Sequence, residues 1–238
     1  MPMEKLSERI MFMPPDPAYD RPMLGYIKGD RFSIAIDAGS SEEHIRLFYS
    51  ELEKEQLPLP ELTILTHSHW DHSFALAYTN GLSLANEKTC SHLQAIAKTD
   101  PEELLRSYIS EDYSFLRKEY KNPDSLDIRV PDISFRKNLS IDAGGITLTL
   151  IRVISPHTDD STLILIPSEK ILFIGDASSG EILSDADLQS GGRYRKEALS
   201  SFIKTLRKLD ATTIVHSHWQ PVPAEEEISY LEGILAEF

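Results

Sequence analysis

The sequence THSHWDH, residues 66–72, is the stretch that decides the predicted fold of this chain. It follows an apolar run, residues 62–65, whose composition predicts a short buried strand. Side chains two apart in an extended segment point the same way, so His67 and His69 can bind one metal ion together. Asp71 and His72 stand where the chain turns into the next predicted helix and can face a second ion. Imidazole and carboxylate ligands suit zinc, and they also accommodate iron or manganese.

A solvated polar loop, or a capped helix start, is the alternative interpretation of this stretch. Such a loop would account for Asp71 at the beginning of a helix. It would leave three clustered imidazoles unexplained. The stretch therefore predicts a metal site.

Composition bounds the class of protein. The chain has 238 residues, of which 41% are hydrophobic and 26% are charged, and this predicts one globular domain over residues 1–238. The net charge of −14 disfavours nucleic acid and anionic membranes as partners. A single cysteine, Cys90, rules out an internal disulfide, and no apolar run is long enough to span a bilayer. We therefore expect a cytoplasmic protein; the oligomeric state is left open, a homodimer included.

The order of predicted elements is strands, helices, strands, helices. A hairpin is predicted over residues 23–36, a helix capped by Ser40 and Glu43 follows, and Asp100-Pro101 begins a helical insert over about residues 100–121. Strands are predicted from Ile133 onward, with turns at residues 144–145 and 168–169. The last predicted elements are a helix around residues 198–206, a strand at residues 213–215 and a helix from about residue 224.

One short internal repeat is present. ELTILTHSHW, residues 61–70, resembles ATTIVHSHW, residues 211–219, and each is a short strand that runs into His-Ser-His-Trp. A chain built from two similar halves would contain such a repeat, and so would chance, because the shared stretch is short.

The segment HSHWDH is similar to the HxHxDH signature of the metallo-β-lactamase superfamily. Three later segments resemble family landmarks in the family's order, and the resemblance covers residues 23–221. It implies that His157 is the third ligand of the first metal, that Asp176 bridges both metals, and that His218 is the last ligand of the second. The fold implied is an α+β, four-layer αββα sandwich with a helical insert, whose internal symmetry would explain the repeated HSHW.

The resemblance also implies a hydrolase with two metal ions, zinc being expected. A hydroxide bridging the ions would attack an ester, thioester or lactone bond of a small molecule, and Asp71 would orient this nucleophile. Candidate proton donors are Asp71 and a tyrosine such as Tyr194, in the loop after Asp176. Tyrosines and leucines of the insert, such as Tyr108 and Tyr113, indicate a partly apolar substrate, or else simple packing of the insert.

The departures from the family pattern narrow the activity. Asp176 stands where zinc β-lactamases of the commonest type have cysteine, which argues against antibiotics as natural substrates. Ser179 stands where lactonases that act on quorum signals have tyrosine. His69 stands where flavodiiron members have glutamate.

Two other activities stay open on the same fold. One is an iron-dependent redox enzyme, and the other is a phosphodiesterase acting on small molecules, since a charge of −14 disfavours only long nucleic acids. A sensor without catalytic activity is disfavoured, because every expected ligand position is filled.

The remaining candidate residues are expected to be supporting. His216 could replace His218 as a ligand, but alignment with the family favours His218 and leaves His216 a supporting role. Asp37 is expected to support the metal loop. The expectation is a solvated side chain for His44, and a surface or packing role for His92. The Cys90 thiol is expected to be buried and inert. Trp70 and Trp219 are expected either to line the site or to pack against other side chains.

Overall fold

A computed structural model describes residues 2–238, apart from the side chain of Leu188. Within these residues two β-sheets pack face to face, and their facing side chains form one apolar core. A second core lies between the first sheet and its helices, and a third between the second sheet and its helices. This arrangement of four layers confirms the predicted α+β sandwich.

The first sheet has seven strands in the described chain, hydrogen-bonded in the order of the sequence. They are β1 (Glu4–Lys5), β2 (Ile10–Met13), β3 (Leu24–Lys28), β4 (Ser33–Ile36), β5 (Leu62–Ile64), β6 (Leu82–Asn86) and β7 (Ile133–Phe135). The second sheet has six, in the order β13-β12-β11-β10-β9-β8. They are β8 (Asn138–Asp142), β9 (Thr147–Val153), β10 (Ser161–Ile166), β11 (Ile171–Gly175), β12 (Thr213–His216) and β13 (Val222–Pro223).

Eight α-helices occur among the described residues. They are α1 (Glu42–Lys54), α2 (Trp70–Ser73), α3 (Glu87–Ile96), α4 (Pro101–Arg106), α5 (Ser110–Glu119), α6 (Asp185–Gln189), α7 (Lys196–Leu206) and α8 (Ala224–Ala236). Two short 3₁₀ helices cover Phe74–Tyr78 and Pro123–Ser125. None of the helices within residues 2–238 is long and apolar enough to cross a membrane.

Alternation along the strands explains why each sheet has two apolar faces. In β4, Ile34 and Ile36 belong to the core between the sheets, whereas Ala35 points to the helix layer. In β11, Phe173 faces the other sheet and Leu172 faces α7 and α8. Successive side chains of a strand point to opposite faces, so a strand that is apolar throughout is buried on both sides.

The predicted elements agree with the structure except at one cap. The hairpin of β3 and β4 and the predicted helix start at Asp100 are confirmed, the Asp100 side chain accepting hydrogen bonds from two backbone amides of α4. The cap of α1 was predicted at Ser40 and is Ser41, whose hydroxyl accepts from the amide of His44. Ser40 instead faces the ring of that histidine.

The predicted helical insert is the pair α4 and α5. Leu104, Leu105 and Leu116 pack in a fourth apolar cluster with Trp70 and Phe74, which follow the first histidines of the motif. Packing of this kind was one of the two expectations for the insert. It fixes the insert beside the segment that carries the predicted ligands.

Parallel pairing brings the functional segments to one edge. Strand β5 lies between β4 and β6 and pairs in parallel with both, and β11 pairs in parallel with β12. The chain leaves β5 just before the motif and leaves β11 at Gly175, directly before Asp176. Gly175 has φ +58°, and a Cβ atom there would lie 2.8 Å from Thr66, so the close approach of the two sheets requires glycine.

Candidate metal centre

Three imidazoles meet at the carboxyl ends of the strands. His67, His69 and His157 each offer a ligand atom, and these atoms lie within 4.8 Å of one another. The Nε2 atom of His157 is 2.9 Å from Nδ1 of His69. His67 is buried, whereas His69 is open to the cleft. The arrangement leaves room for one cation among three nitrogen ligands.

A second group lies beside the first. Its four members, whose ligand atoms also lie within 4.8 Å of one another, are Asp71, His72, Asp176 and His218. The Nε2 atom of His218 is 3.1 Å from a carboxylate oxygen of Asp71 and 3.4 Å from one of Asp176. The rings of His67 and His72 have centroids 4.2 Å apart, so the two groups are direct neighbours. All seven sequence-predicted side chains therefore lie in two adjoining groups.

Asp37 supports the motif through hydrogen bonds, as expected from the sequence. Its carboxylate accepts hydrogen bonds from the amide of Thr66 at 2.7 Å, from the Thr66 hydroxyl at 2.8 Å and from Nδ1 of His72 at 2.8 Å. Asp37 has a φ of +63°, a conformation that aspartate tolerates better than most residues. These bonds fix the tautomer of His72 and leave its Nε2 atom directed into the site.

The segment before β10 positions His157. The Ser155 hydroxyl donates to the carbonyl of Thr158 and accepts from its amide, each at 3.1 Å, which closes a tight turn around the histidine. Nδ1 of His157 lies 3.3 Å from the carbonyl of Gly180, which accepts its proton. Ser155 thus closes the turn that presents His157 to the site.

The charges of the two groups differ. Burial lowers the pKa of His67 well below its usual range, and the neighbouring imidazoles lower it further. Burial also opposes a charge on His72 and His218, but the nearby carboxylates outweigh it and raise both pKa values well above the usual range. His67 therefore favours its neutral form, whereas the two carboxylates of the second group attract positive charge.

Unpaired polar atoms test whether metal ions fit. Among the described residues, Nε2 of His67 and Oδ1 of Asp176 are buried without a hydrogen-bond partner. An unpaired buried polar atom costs about 1–3 kcal/mol, so two within one site indicate partners that the protein does not supply. Nitrogen and carboxylate oxygen are ligands for zinc and related divalent ions. The side chains fit such ions.

Two acidic residues at the site were missed by sequence analysis. Oδ1 of Asp20, in the loop between β2 and β3, lies 3.6 Å from Nδ1 of His218. Burial and the carboxylate of Asp71 raise the pKa of Asp20 to about 7, and the same causes raise the pKa of Asp112, in α5, to about 7. Neither residue belongs to a recognisable motif. The acidic and proline-rich segment DPAYDRP, residues 16–22, was the available signal for a built loop.

The prediction that His44 is solvated is wrong. Its side chain is buried, and its Nδ1 atom accepts a hydrogen bond from the amide of Ser40 at 3.2 Å. Burial and the charge of Arg21 lower its pKa to about 3. His44 therefore braces the turn before α1 as a neutral residue.

His216 is buried away from both groups. Its Nε2 atom lies 3.1 Å from a carboxylate oxygen of Glu227 in α8, and its Nδ1 atom lies 3.5 Å from the hydroxyl of Ser178. Tyr194, a candidate proton donor, donates its phenol hydrogen to the carbonyl of Ser178. Both residues therefore contact the loop that follows Asp176.

His92 takes part in a third polar group. Its ligand atom lies within 4.8 Å of those of Asp159 and Asp160. The ammonium group of Lys88 is 3.2 Å from Asp159, so a cation of the protein already balances part of this group. Cys90 is partly buried, and burial raises the pKa of its thiol, in agreement with an inert cysteine.

The two tryptophans of the repeat have different surroundings. Trp70 is 2% exposed within the apolar cluster of the insert, whereas Trp219 is 60% exposed beside the ring of His218.

A cavity of about 480 Å³ lies between α1 and the insert, and its lining includes none of the seven predicted ligands.

Comparisons with known proteins agree with this geometry. The family model described as the metallo-β-lactamase superfamily matches residues 24–218, and the chain belongs to this superfamily. None of the curated proteins compared with the chain matches it.

Solved structures share the fold at low sequence identity. A double mutant of the sec-alkyl sulfatase PisA1 is 13% identical with a TM-score of 0.73; the match covers 99% of this chain, which spans only 41% of the sulfatase chain. A metallo-β-lactamase from Pontibacter korlensis is 16% identical with a TM-score of 0.65, covering 98% of this chain and 96% of that one. A metallo-β-lactamase family protein from Thermus thermophilus is 18% identical with a TM-score of 0.65, covering 98% and 80%. These likenesses establish the fold.

Proposed function

We propose that this chain is a hydrolase with two divalent metal ions, zinc being the first candidate, that cleaves an ester, thioester or lactone bond of a small molecule. The observation that carries the proposal is the pair of adjoining groups, each with ligand atoms within 4.8 Å of one another. Metal ligands that meet in two neighbouring sets are the arrangement that binuclear hydrolysis requires.

Each ion would have its own set of ligands. His67, His69 and His157 would hold the first ion. Asp71, His72 and His218 would hold the second. These six residues and Asp176 form the proposed ligand set.

Asp176 is the proposed bridge between the ions. One of its carboxylate oxygens is 3.3 Å from Nε2 of His72 and 3.8 Å from Nε2 of His157. The carboxylate therefore reaches both groups, and its second oxygen has no hydrogen-bond partner among the described residues.

Two bound ions would lower the pKa of a shared water toward about 7 and polarise the bond under attack. Asp71, whose carboxylate lies 3.0 and 3.1 Å from the imidazoles of His72 and His218, would orient this water. Asp37 accepts the proton on Nδ1 of His72, so Nε2 is the nitrogen that faces the site.

Apolar side chains near the site support an uncharged or partly apolar organic substrate. Trp219 is exposed beside His218, and Ile182 and Leu183 are exposed in the loop after Gly180, whose carbonyl faces His157. The net charge of −14 disfavours nucleic acid as a partner. A cytoplasmic location, favoured by the single cysteine, is part of the proposal.

The test is a hydrolysis panel with zinc-loaded protein. Ester, thioester, lactone, phosphodiester and β-lactam substrates are compared for wild type, Asp176→Ala and the control Asp210→Ala, whose side chain is a surface partner of Lys170. We expect turnover of the ester, thioester or lactone, lost in Asp176→Ala and kept in the control. Turnover confined to phosphodiesters would replace the substrate class. No turnover with zinc, but redox activity with iron, would overturn the proposed hydrolase.

A further inference from the structure

Imidazole ligands need an acceptor on the nitrogen that faces away from the metal. For His72 this acceptor is the Asp37 carboxylate at 2.8 Å, and for His157 it is the carbonyl of Gly180 at 3.3 Å. Acceptors of this kind fix the tautomer and raise the basicity of the ligand nitrogen. A ligand histidine is therefore expected to have an acceptor beside the nitrogen that faces away from the metal.

Behind His218 lies a carboxylate from a distant part of the chain. Nε2 of His218 faces the site, 3.1 Å from Asp71, and the opposite nitrogen, Nδ1, lies 3.6 Å from Oδ1 of Asp20. The family match begins at residue 24, so Asp20 lies outside the matched segment.

We propose that Asp20 is a positioning residue for His218: its carboxylate faces Nδ1 and so orients the ring to present Nε2 to the second metal ion. This inference rests on the metal centre proposed above. Asp37 has the corresponding role toward His72. Asp37 directly follows β4, whereas Asp20 lies in the loop between β2 and β3.

The loop that carries Asp20 is built to hold this position. Asp16 and Arg21 exchange two backbone hydrogen bonds, at 2.9 and 3.0 Å, which close a short loop between them. Asp20 has a φ of +53°, in the left-handed region, which aspartate tolerates better than most residues other than glycine. Surrounding contacts hold the backbone in this conformation.

Those surrounding contacts lie on both sides of the loop. The Arg21 guanidinium donates two hydrogen bonds to the Glu119 carboxylate of α5, at 2.6 and 2.9 Å, and both side chains are almost fully buried. The amide of Met23 donates to the carbonyl of Ser217 at 2.6 Å, directly before His218. The loop is thus tied to the insert and to the ligand segment by two residues that closely follow Asp20.

The test measures metal affinity by titrating the full chain with Zn²⁺ against a competing chelator. Asp20→Gly removes the carboxylate and tolerates the positive φ. We expect one of the two ions to bind about 10–100-fold more weakly, the usual effect of losing such an acceptor, and the other to be unchanged. Asp20→Asn keeps an acceptor oxygen, so its loss should be smaller.

Asp16→Asn is the matched control, because it removes a carboxylate from the same loop while preserving the acceptor for the amide of Ala18. We expect wild-type affinity for both ions in this variant, and unchanged thermal unfolding of all metal-free variants. Equal affinity of Asp20→Gly and wild type for both ions would overturn the role of Asp20 alone, as would an equal loss in Asp16→Asn. Wild-type protein that binds fewer than two ions would overturn the metal centre and this inference together.

Discussion

The tetrapeptide His-Ser-His-Trp occurs twice in this chain, and its two copies have different surroundings. In the first copy, residues 67–70, both histidines lie in the group that His157 completes. In the second copy, residues 216–219, only His218 reaches a group, while His216 pairs with Glu227. Identical residues thus have different partners.

The residue before each copy contributes to this difference. Thr66 precedes His67, and its hydroxyl donates to Asp37 and lies 3.1 Å from Nδ1 of His67. Val215 occupies the matching place before His216 and packs in the core between the sheets. The Thr66 hydroxyl, which bonds to residues of the first copy's site, has no counterpart before the second copy. There the imidazole of His216 pairs with the carboxylate of Glu227 on α8.

The largest expected difference between the copies is in activity. His67→Ala removes a proposed ligand, and we expect hydrolysis to fall by about 100-fold or more, because activation of water depends on the ions. His216→Ala should keep activity within about tenfold, because His216 contacts Glu227 and Ser178 instead of a proposed ligand. Steady-state kinetics and metal content of both variants check this. Equal losses would mean that the copies have equivalent roles.

The tryptophans should differ next, in stability. Trp70→Ala empties a buried site in the insert cluster, and we expect the free energy of unfolding to fall by about 3–5 kcal/mol. Trp219→Ala changes an exposed side chain and should alter stability by about 0.5 kcal/mol or less. Urea unfolding of the metal-free proteins measures both. A large loss in Trp219→Ala would show that the second copy packs more tightly than its exposure indicates.

The smallest expected effect concerns pH. Burial raises the pKa of Glu227, but hydrogen bonds from His216 and Ser178 outweigh it and lower the pKa below its usual value of 4.5. A carboxyl with a lowered pKa contributes stability above its unfolded pKa and loses it as pH falls through the folded value.

Glu227→Gln should therefore destabilise the protein at neutral pH and approach the wild type below about pH 4. Unfolding free energies of both proteins across this range test the expectation. A difference that is constant with pH would assign the pair no electrostatic role.

Sequence patterns predicted several helices and strands well because these elements are locally encoded, whereas the four-layer sandwich was implied by the resemblance to the superfamily. The turn at residues 144–145 and the Asp100 cap needed only neighbouring residues, and both are present. The clustered histidines of the motif likewise indicated a metal site.

Long-range packing escaped prediction. His44 was expected to be solvated because its neighbours in sequence are charged, but the turn at Ser40 folds over it. Glu227 lies eleven residues after His216, and only the packing of α8 on β12 brings them together. Asp20 reaches His218 across most of the chain. Contacts of this kind depend on the tertiary structure, which no local pattern contains.

The close approach of the sheets at Gly175 also has a consequence for how the chain is held together. The first half of the chain contributes the ligands that follow β5, which are His67, His69, Asp71 and His72. The second half contributes those that follow strands of the second sheet, which are His157, Asp176 and His218. Neither group is complete within one half of the chain. Ions bound there would cross-link the two halves of the chain. A ligand that binds only the folded state stabilises that state by mass action. Affinity for metal would then be, in part, the affinity of one half of the protein for the other.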